Sequence, residues 1–137
     1  MPHSAIRVLV VDDEEDFASA LVTRLARRGF SARAAFSGTE ALAELASHPT
    51  EVVILDLKMP GMDGIESLQR IRRRYPGVQI IVLTGHGTVA SGVEGMRIGA
   101  ADYLRKPVPI ETLCTAILAA AEKRRTRPEP SYGEKTP

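Results

Sequence analysis

Three short apolar runs, each followed at once by polar residues, dominate the hydrophobic pattern of the chain. They cover residues 6–11, 52–55 and 79–83. Near-continuous apolar runs of this length predict strands that are buried on both faces, as in a parallel sheet. Two weaker strands are predicted at residues 31–35, which lack large side chains and suit a sheet edge, and at residues 102–104.

Between these runs, apolar residues recur every three or four positions, which predicts amphipathic helices. The stripes are Phe17, Leu21 and Leu25; Ala41, Leu42, Leu45 and Ala46; Ile65, Leu68 and Ile71; and Ile110, Leu113, Ile117 and Leu118. A further helix is predicted at residues 88–98, where Gly92 and Gly95 each cost about 1 kcal/mol relative to alanine. These glycines either make the helix pliable or allow it to pack closely on the sheet.

Strands and helices therefore alternate strictly, as five β-α units. This order predicts an α/β fold with a parallel sheet, right-handed crossovers and helices on both faces. We place the domain at residues 5–124. Residues 125–137 are rich in proline and charge and have no apolar periodicity, so we expect them to form a disordered tail or linker.

Composition excludes several classes of protein. The chain has 137 residues, 44% of them apolar and 26% charged, which fits one globular domain. A net charge of +1 does not favour nucleic acid or an anionic membrane, and no segment approaches the roughly 20 apolar residues of a membrane-spanning helix. A lone cysteine, Cys114, indicates a reducing compartment and a buried, inert thiol, so we predict a cytoplasmic protein.

Basic residues cluster in one short stretch of the chain, at Arg70, Arg72, Arg73 and Arg74. These arginines lie near the end of a predicted helix, where cations are favourable, and no aromatic residues for base stacking are interleaved with them. We interpret the cluster as a solvated basic face, with docking of an acidic kinase surface as the alternative.

The candidate chemistry lies where the predicted strands end. Asp12 and Asp13 follow the first strand, Asp56 the third and Thr84 the fourth, and Lys106 comes just after the fifth. Ligands of open parallel sheets bind beyond the carboxyl ends of the strands. We therefore expect these residues to meet at one edge of the sheet.

Three carboxylates at one place repel one another unless a cation intervenes. Mg²⁺ suits such a set because it prefers carboxylate oxygens, keeps several waters and can share a phosphate oxygen. Lys106 adds a mobile positive charge, and Thr84 adds a hydroxyl that can donate to a phosphoryl group. The pattern indicates phosphoryl transfer to an aspartate, where positioning and charge neutralisation do most of the work.

Each of these residues also has a simpler interpretation when it is taken alone. Asp12 or Asp13 would cap the following helix, and Asp56 would begin a turn. Thr84 would be an ordinary residue at a strand end, and Lys106 would be solvated. The combination at matching positions of one repeated pattern favours the phosphoryl-transfer interpretation.

Four stretches of the chain, at residues 10–14, 55–64, 82–85 and 102–107, resemble the receiver domains of two-component response regulators. The resemblance covers about residues 5–124. It implies a flavodoxin-like three-layer sandwich with strand order 2-1-3-4-5 and a cis peptide bond between Lys106 and Pro107.

The resemblance also implies a role for each site residue. By similarity, Asp56 is the phospho-acceptor, Asp13 binds Mg²⁺ directly, Asp12 acts through a metal-bound water, and the backbone carbonyl of Lys58 completes the protein ligands. Thr84 is the switch hydroxyl, Lys106 contacts the phosphoryl group, and Tyr103 is the aromatic residue that turns inward on activation. Lys58 and His86 are expected to tune the lifetime of the phosphoryl group, with simple exposure as the alternative for His86.

The chain is most similar to receivers of the nitrogen-regulation class of transcriptional activators. The resemblance implies a partner that donates the phosphoryl group, either a sensor histidine kinase or a phosphotransfer protein. It also implies a switched face, formed by the fourth helix, fifth strand and fifth helix, that binds a partner or a second copy in a homodimer. Such a receiver is a signalling domain, which catalyses only its own phosphorylation and dephosphorylation.

Two other functions are compatible with the fold. A Mg²⁺-dependent aspartyl-phosphate hydrolase is one, although such enzymes carry a second aspartate two residues after the nucleophile, where this chain has Lys58. A flavodoxin-like interaction module that is not phosphorylated is the other, and the acidic pair, Thr84 and Lys106 argue against it.

Overall fold

A computed structural model describes residues 5–58, 64–85 and 89–126, with the backbone alone at 89–91 and 125–126. The five strands are β1 (Arg7–Val11), β2 (Ser31–Ala35), β3 (Val52–Leu55), β4 (Gln79–Thr84) and β5 (Asp102–Arg105). The five helices are α1 (Glu15–Arg27), α2 (Gly38–Ser47), α3 (Gly64–Arg74), α4 (Val89–Ile98) and α5 (Ile110–Thr126). The predicted alternation of strands and helices is confirmed.

The strands form one parallel sheet in the order β2-β1-β3-β4-β5, as the resemblance implied. The chain reverses direction across the sheet between β1 and β3, so the carboxyl ends of these two strands flank the crevice where open sheets bind ligands. The strands of the three strong apolar runs, β1, β3 and β4, lie together in the middle of the sheet.

Alternate residues of the central strands point to opposite faces of the sheet and enter two separate hydrophobic clusters. Val8, Val10 and Ile54 pack with α1 and α5 on one face. Leu9 and Val53 pack with α2 and α3 on the other. Burial on both faces explains why these strands are apolar at every position but their outermost ones, Arg7, Gln79 and Thr84, and it fixes their register.

Local signals set the limits of the helices. Ser37 caps α2 by accepting a hydrogen bond from the backbone N–H of Glu40 at 3.1 Å, and the Glu40 carboxylate accepts one from the N–H of Phe36 at 2.8 Å. This reciprocal pair satisfies two donors that a helix start leaves free. Gly29 and Gly99 follow α1 and α4 with φ of +93° and +123°, where a side chain would be strained.

The last helix extends two residues beyond the boundary that we predicted from the sequence, residue 124. The backbone of α5 is helical through Thr126, so residues 125 and 126 belong to a helix rather than to a tail. The disordered tail that we predict for the remaining residues, 127–137, lies outside the described residues. None of the described helices is both long enough and apolar enough to cross a membrane.

Candidate functional site

The carboxyl edge of the sheet carries the residues that the sequence pattern singled out. The backbone N–H of Asp12 donates to the carbonyl of Ala35 at 3.1 Å, and that of Asp56 donates to Val11 at 3.0 Å. The N–H of Lys106 donates to the carbonyl of Thr84 at 3.1 Å. These bonds continue the sheet ladder beyond the strands, so the backbone positions of the site residues are fixed by the sheet.

Three carboxylates meet at this edge. Asp12, Asp13 and Asp56 each place one carboxylate oxygen within 4.8 Å of the others. Asp12 and Asp56 are both only 2% exposed, whereas Asp13 is exposed at the surface. The group is therefore a buried acidic pair with a third carboxylate open to solvent, and an ion can reach it from that side.

Lys106 supplies the positive charge. Its ammonium nitrogen (Nζ) lies 2.7 Å from Oδ2 of Asp12 and 3.0 Å from Oε1 of Glu14, and both oxygens accept hydrogen bonds from it. Oδ2 of Asp56 lies farther away, at 3.6 Å. The aromatic ring of Phe17 covers the ammonium, with its centre 4.2 Å from Nζ, which is within the range of a cation–π contact. The Lys106–Pro107 bond is cis.

Burial and charge act against each other at this site. Burial raises the pKa of Asp12 above its ordinary value, and hydrogen bonds from Lys106 and from the N–H of Glu14 offset this only in part. Burial alone would lower the pKa of Lys106, but its bonds to Asp12 and Glu14 outweigh that effect and raise it. Lys106 therefore stays charged, and a second cation would relieve the cost of keeping Asp12 ionised.

The residues after Asp56 are only partly described. The backbone N–H of Lys58 donates to Oδ1 of Asp56 at 3.1 Å, which fixes one side of the carboxylate, and the Lys58 side chain is exposed. Gly64, at the start of α3, lies so close to the backbone of Leu57 that no side chain would fit there. His86 lies outside the described residues, so its predicted role stays a prediction.

Thr84 is the last residue of β4, and Tyr103 lies on the neighbouring strand β5, opposite Val82. Thr84 is fully buried. Tyr103 is half-buried and packs against the hydrophobic cluster of the α2 and α3 face, and its ring adjoins Gly92 of α4. An added Cβ at Gly92 would stand 3.3 Å from that ring, whereas one at Gly95 would make ordinary contacts of 3.8 and 3.9 Å with Val82 and Leu68. Both glycines therefore lie where α4 packs closely on β4 and β5.

Sequence reasoning missed two residues that hold Lys106. Glu14 lay inside the motif stretch 10–14 without a role of its own, and Phe17 was assigned only to an apolar helix stripe. Their signal was the spacing of three residues from Glu14, the N-cap of α1, to Phe17 in its first turn, which places the two side chains on one helix face. Lys106 follows β5, which β4 and β3 separate from β1 in the sheet, so its long side chain reaches across the carboxyl edge to meet that helix face.

The chain is similar to known proteins along most of its length. The sequence model of the response regulator receiver domain family matches residues 8–118 of this chain. A putative NtrX-like response regulator from Rickettsia bellii is 38% identical over 92% of this chain, and the chain spans 27% of that relative. The regulatory protein RegA of the photosynthetic apparatus, from Cereibacter sphaeroides, is 35% identical over 89% of the chain, which spans 66% of RegA.

Solved structures give the same result. A CheY-like receiver domain protein from Methanospirillum hungatei superposes with a TM-score of 0.85 at 27% identity, over 90% of this chain and 98% of that one. The receiver domain of NtrX from Brucella abortus superposes with a TM-score of 0.79 at 32% identity, over 84% of this chain and 98% of that one. The chain therefore belongs to the response regulator receiver domain family, as its four motif stretches indicated.

Proposed function

We propose that Asp56 accepts a phosphoryl group in a Mg²⁺-dependent reaction and that this modification switches the surface of the domain. The observation that carries the proposal is the meeting of the Asp12, Asp13 and Asp56 carboxylates within 4.8 Å, beside the ammonium of Lys106. Two buried carboxylates and one cation on a sheet edge suit a group whose transfer depends on positioning and charge neutralisation.

The donor set fits Mg²⁺. All the side-chain donors are carboxylate oxygens, which hard divalent ions prefer, and the exposed Asp13 leaves the group open to a hydrated ion. Asp12, Asp13, Asp56 and the backbone carbonyl of Lys58 would hold the ion. When bound, it supplies positive charge that offsets the charge of the transferring phosphoryl group.

In the proposed reaction, a carboxylate oxygen of Asp56 attacks the phosphorus of a phosphohistidine on a partner protein. A new O–P bond forms as the P–N bond breaks, and the imidazole nitrogen keeps the electron pair and takes a proton from solvent. Lys106 stabilises the phosphoryl oxygens as a point charge. Its ammonium lies 3.6 Å from Oδ2 of Asp56 and reaches them when it leaves Asp12 and Glu14. The domain thus catalyses its own modification, and later its own dephosphorylation, without turning over a separate substrate.

The partner and the output are part of the proposal. The donor is a sensor histidine kinase or a phosphotransfer protein. Since the chain spans only 27% of its NtrX-like relative, the output belongs either to further segments of a longer regulator or to a separate protein. A lone, buried cysteine supports action in a reducing compartment. A Burkholderia pseudomallei response regulator is 30% identical, with a TM-score of 0.78 over 96% of this chain and 75% of that one. It was crystallised with a phosphorylated aspartic acid, a calcium ion and citrate, and its phosphorylated aspartate supports the proposed modification.

The switch would run from Thr84 to the face formed by α4, β5 and α5. Thr84 would move toward the phosphoryl oxygens, and the ring of Tyr103 would follow into the space beside it. Large apolar side chains of α4 and α5 are exposed: Val93 by 61%, Met96 by 47% and Leu118 by 54%. Such a surface suits a partner or a second copy of the chain.

The acceptor role is tested by incubating the chain with acetyl phosphate and Mg²⁺ and measuring intact mass. We expect the mass of one added phosphoryl group in the wild type and in Asp16→Asn, a matched control that removes an exposed carboxylate outside the cluster. Asp56→Asn should gain none. Equal phosphorylation of Asp56→Asn would end the assignment.

The switch is tested by hydrogen exchange. Adding beryllofluoride, which mimics a phosphoryl group on aspartate, together with Mg²⁺ should change the protection of residues 85–105 in the wild type but not in Asp56→Asn. Unchanged protection in the wild type, with beryllofluoride shown to be bound by ¹⁹F NMR, would contradict the switch while leaving the acceptor role standing.

A further inference from the structure

A cavity of about 320 Å³ lies at the end of the sheet opposite the carboxylate cluster. It is formed where β1, β3 and β4 begin, by Arg7, by residues 48–50 before β3, by residues 74–78 before β4 and by Arg124 of α5. Arg7 and Asp12 stand at opposite ends of β1, which separates the two sites by roughly 16 Å. The cavity therefore does not belong to the phosphorylation site.

The lining of this cavity is basic. Arg7, His48, Arg74 and Arg124 contribute to it, and no acidic residue does so within the described part of the chain. Two carboxylates lie behind the wall: Glu51, whose oxygen is 3.7 Å from Arg7, and Glu44, which is shared by His48 and Arg33. These offset only part of the positive charge.

Two guanidinium groups have no carboxylate partner among residues 5–58, 64–85 and 89–126. Arg124 donates from Nε to the backbone carbonyl of Gly77 at 3.1 Å, which fixes its side chain while its two terminal nitrogens remain without a protein acceptor in that range. Arg74 lies 5.9 Å from the centre of the Tyr75 ring and makes no ion pair there. Both side chains are thus positioned by neutral groups and keep their charge available.

Arg7 adds a third donor. Its Nε is buried and finds no hydrogen-bond acceptor among the described residues, although its backbone N–H donates to Glu51 at 2.9 Å. This nitrogen is closed off from solvent, so a ligand in the cavity would meet the terminal nitrogens of Arg7 instead, one of which lies 3.7 Å from Glu51. Three guanidinium groups around a concave space match phosphate and carboxylate oxygens, which they can bind with paired hydrogen bonds.

We infer that this cavity, at the amino ends of β1, β3 and β4, binds a small polyanion bearing phosphate or carboxylate groups. Its volume lies at the lower end of the range of small-molecule sites. The Tyr75 ring and Pro49 provide an apolar wall beside the arginines, so an anion that also carries a flat or apolar part fits better than a bare ion. The inference does not depend on phosphorylation of Asp56.

The test is a titration of the ¹⁵N-labelled chain with pyrophosphate and, separately, with citrate, at about 0.15 M salt to screen general attraction. We expect saturable shifts of the backbone amides of Arg7, Gly77 and Val78. The double variant Arg74→Gln/Arg124→Gln should bind at least about tenfold more weakly, because charge-assisted hydrogen bonds are lost. Tighter binding of pyrophosphate would assign the site to phosphorylated ligands, and tighter binding of citrate to polycarboxylates.

A matched control removes two other charges. Arg70→Gln/Arg97→Gln changes two exposed arginines of α3 and α4 that pair with Glu66 and Glu94 outside the cavity, and it should bind as the wild type does. Arg74→Gln alone, at an exposed position, serves if the cavity double variant does not fold, and should also weaken binding. Shifts that fail to saturate, or equal affinity in the cavity and control variants, would overturn the inference. Asp56→Asn should bind normally, which separates this result from the proposed function.

Discussion

The ammonium nitrogen of Lys106 lies 2.7 Å from Oδ2 of Asp12, closer than the 3.6 Å that separates it from Oδ2 of Asp56. In the resting domain, Lys106 is therefore bonded to a neighbour of the proposed phospho-acceptor rather than to the acceptor itself. Glu14 strengthens this arrangement from the solvent side, at 3.0 Å. A cation that must engage a phosphoryl group on Asp56 has to leave these partners, so they are expected to affect the rate.

Glu14→Gln should speed phosphorylation of the domain by acetyl phosphate. The Glu14 side chain is 59% exposed, so its ion pair with Lys106 contributes under about 1 kcal/mol, and its loss would change a rate by about twofold to fivefold. Asp12 still holds Lys106 in the variant, so the fold should be unaffected. The measurement is the initial rate of phosphorylation at saturating Mg²⁺.

Glu15→Gln is the matched control, because it removes a neighbouring exposed carboxylate that makes no ion pair with Lys106. Its rate should equal that of the wild type. An equal acceleration in both variants would mean that net charge near the site, and not release of Lys106, controls the rate.

Mg²⁺ should raise the unfolding temperature of the chain through the carboxylate cluster. Binding to the folded state alone contributes about 1.4 kcal/mol when the free ion is at tenfold its dissociation constant. Asp13→Asn removes the exposed carboxylate of the cluster, so we expect the Mg²⁺-dependent increase in Tm to shrink strongly in this variant. Thermal unfolding with MgCl₂ or with EDTA measures it.

Asp16→Asn should keep the full increase, since Asp16 is exposed in α1 and lies outside the cluster. If Asp13→Asn retained the Mg²⁺ effect as well, the ion would be bound elsewhere, and the proposed set of ligands would be wrong.

The two glycines of α4 should respond differently to alanine. Gly95→Ala should raise the free energy of unfolding by up to about 1 kcal/mol, because alanine favours a helix and its Cβ would make contacts no closer than 3.8 Å. Gly92→Ala brings the same gain in helix propensity, but its Cβ would stand 3.3 Å from the Tyr103 ring, and the ring would have to shift to make room. We expect Gly92→Ala to be less stable than Gly95→Ala in urea unfolding.

A double variant tests whether the Tyr103 ring causes the lower stability expected of Gly92→Ala. Tyr103→Leu removes the ring, so adding Gly92→Ala to that variant should be as favourable as Gly95→Ala is in the wild type. A penalty for Gly92→Ala that persists without the ring would place its origin in the helix backbone instead of in the contact with Tyr103.

Most of the architecture followed from the apolar runs. Residues 6–11, 52–55 and 79–83 gave the three central strands, and their polar ends gave the edge where Asp12, Asp56 and Thr84 gather. The strand order came from resemblance, because alternation alone leaves several orders open for a parallel sheet. The contacts of Lys106 with Glu14 and Phe17 could not be predicted from the sequence. They join the start of α1 to the residue after β5, and the hydrophobic periodicity does not say in which direction the Lys106 side chain extends.

The basic cavity was missed for a similar reason. Arg74 was grouped with its helical neighbours as a solvated face, and Arg7 and Arg124 lie in other parts of the chain. Only the packing of α5 across the beginning of β4, where Arg124 bonds to Gly77, brings these charges together. A cluster of residues that are distant in sequence can be predicted only when each of them occupies the same position in a repeated pattern. The carboxylates met this condition because each follows the end of a predicted strand, and the arginines did not.

Cys114 gives a prediction for pH dependence. The thiol is 8% exposed, and burial raises its pKa above the ordinary value, with smaller opposing effects from the charges of Arg28 and Glu111. Because the pKa of the thiol is higher in the folded chain than in the unfolded chain, the protonated thiol favours the folded state. This contribution to the free energy of unfolding is complete at pH values below the pKa of the unfolded chain, and it is lost as the pH rises through the pKa of the folded chain. The folded chain should therefore be alkylated slowly by iodoacetamide near neutral pH, and the rate should still be increasing at a pH where the thiol of the urea-unfolded chain has reached its plateau. Cys114→Ser, which has no thiol, supplies the blank, and coincident pH profiles for folded and unfolded protein would contradict the assignment of Cys114 as a buried, inert residue.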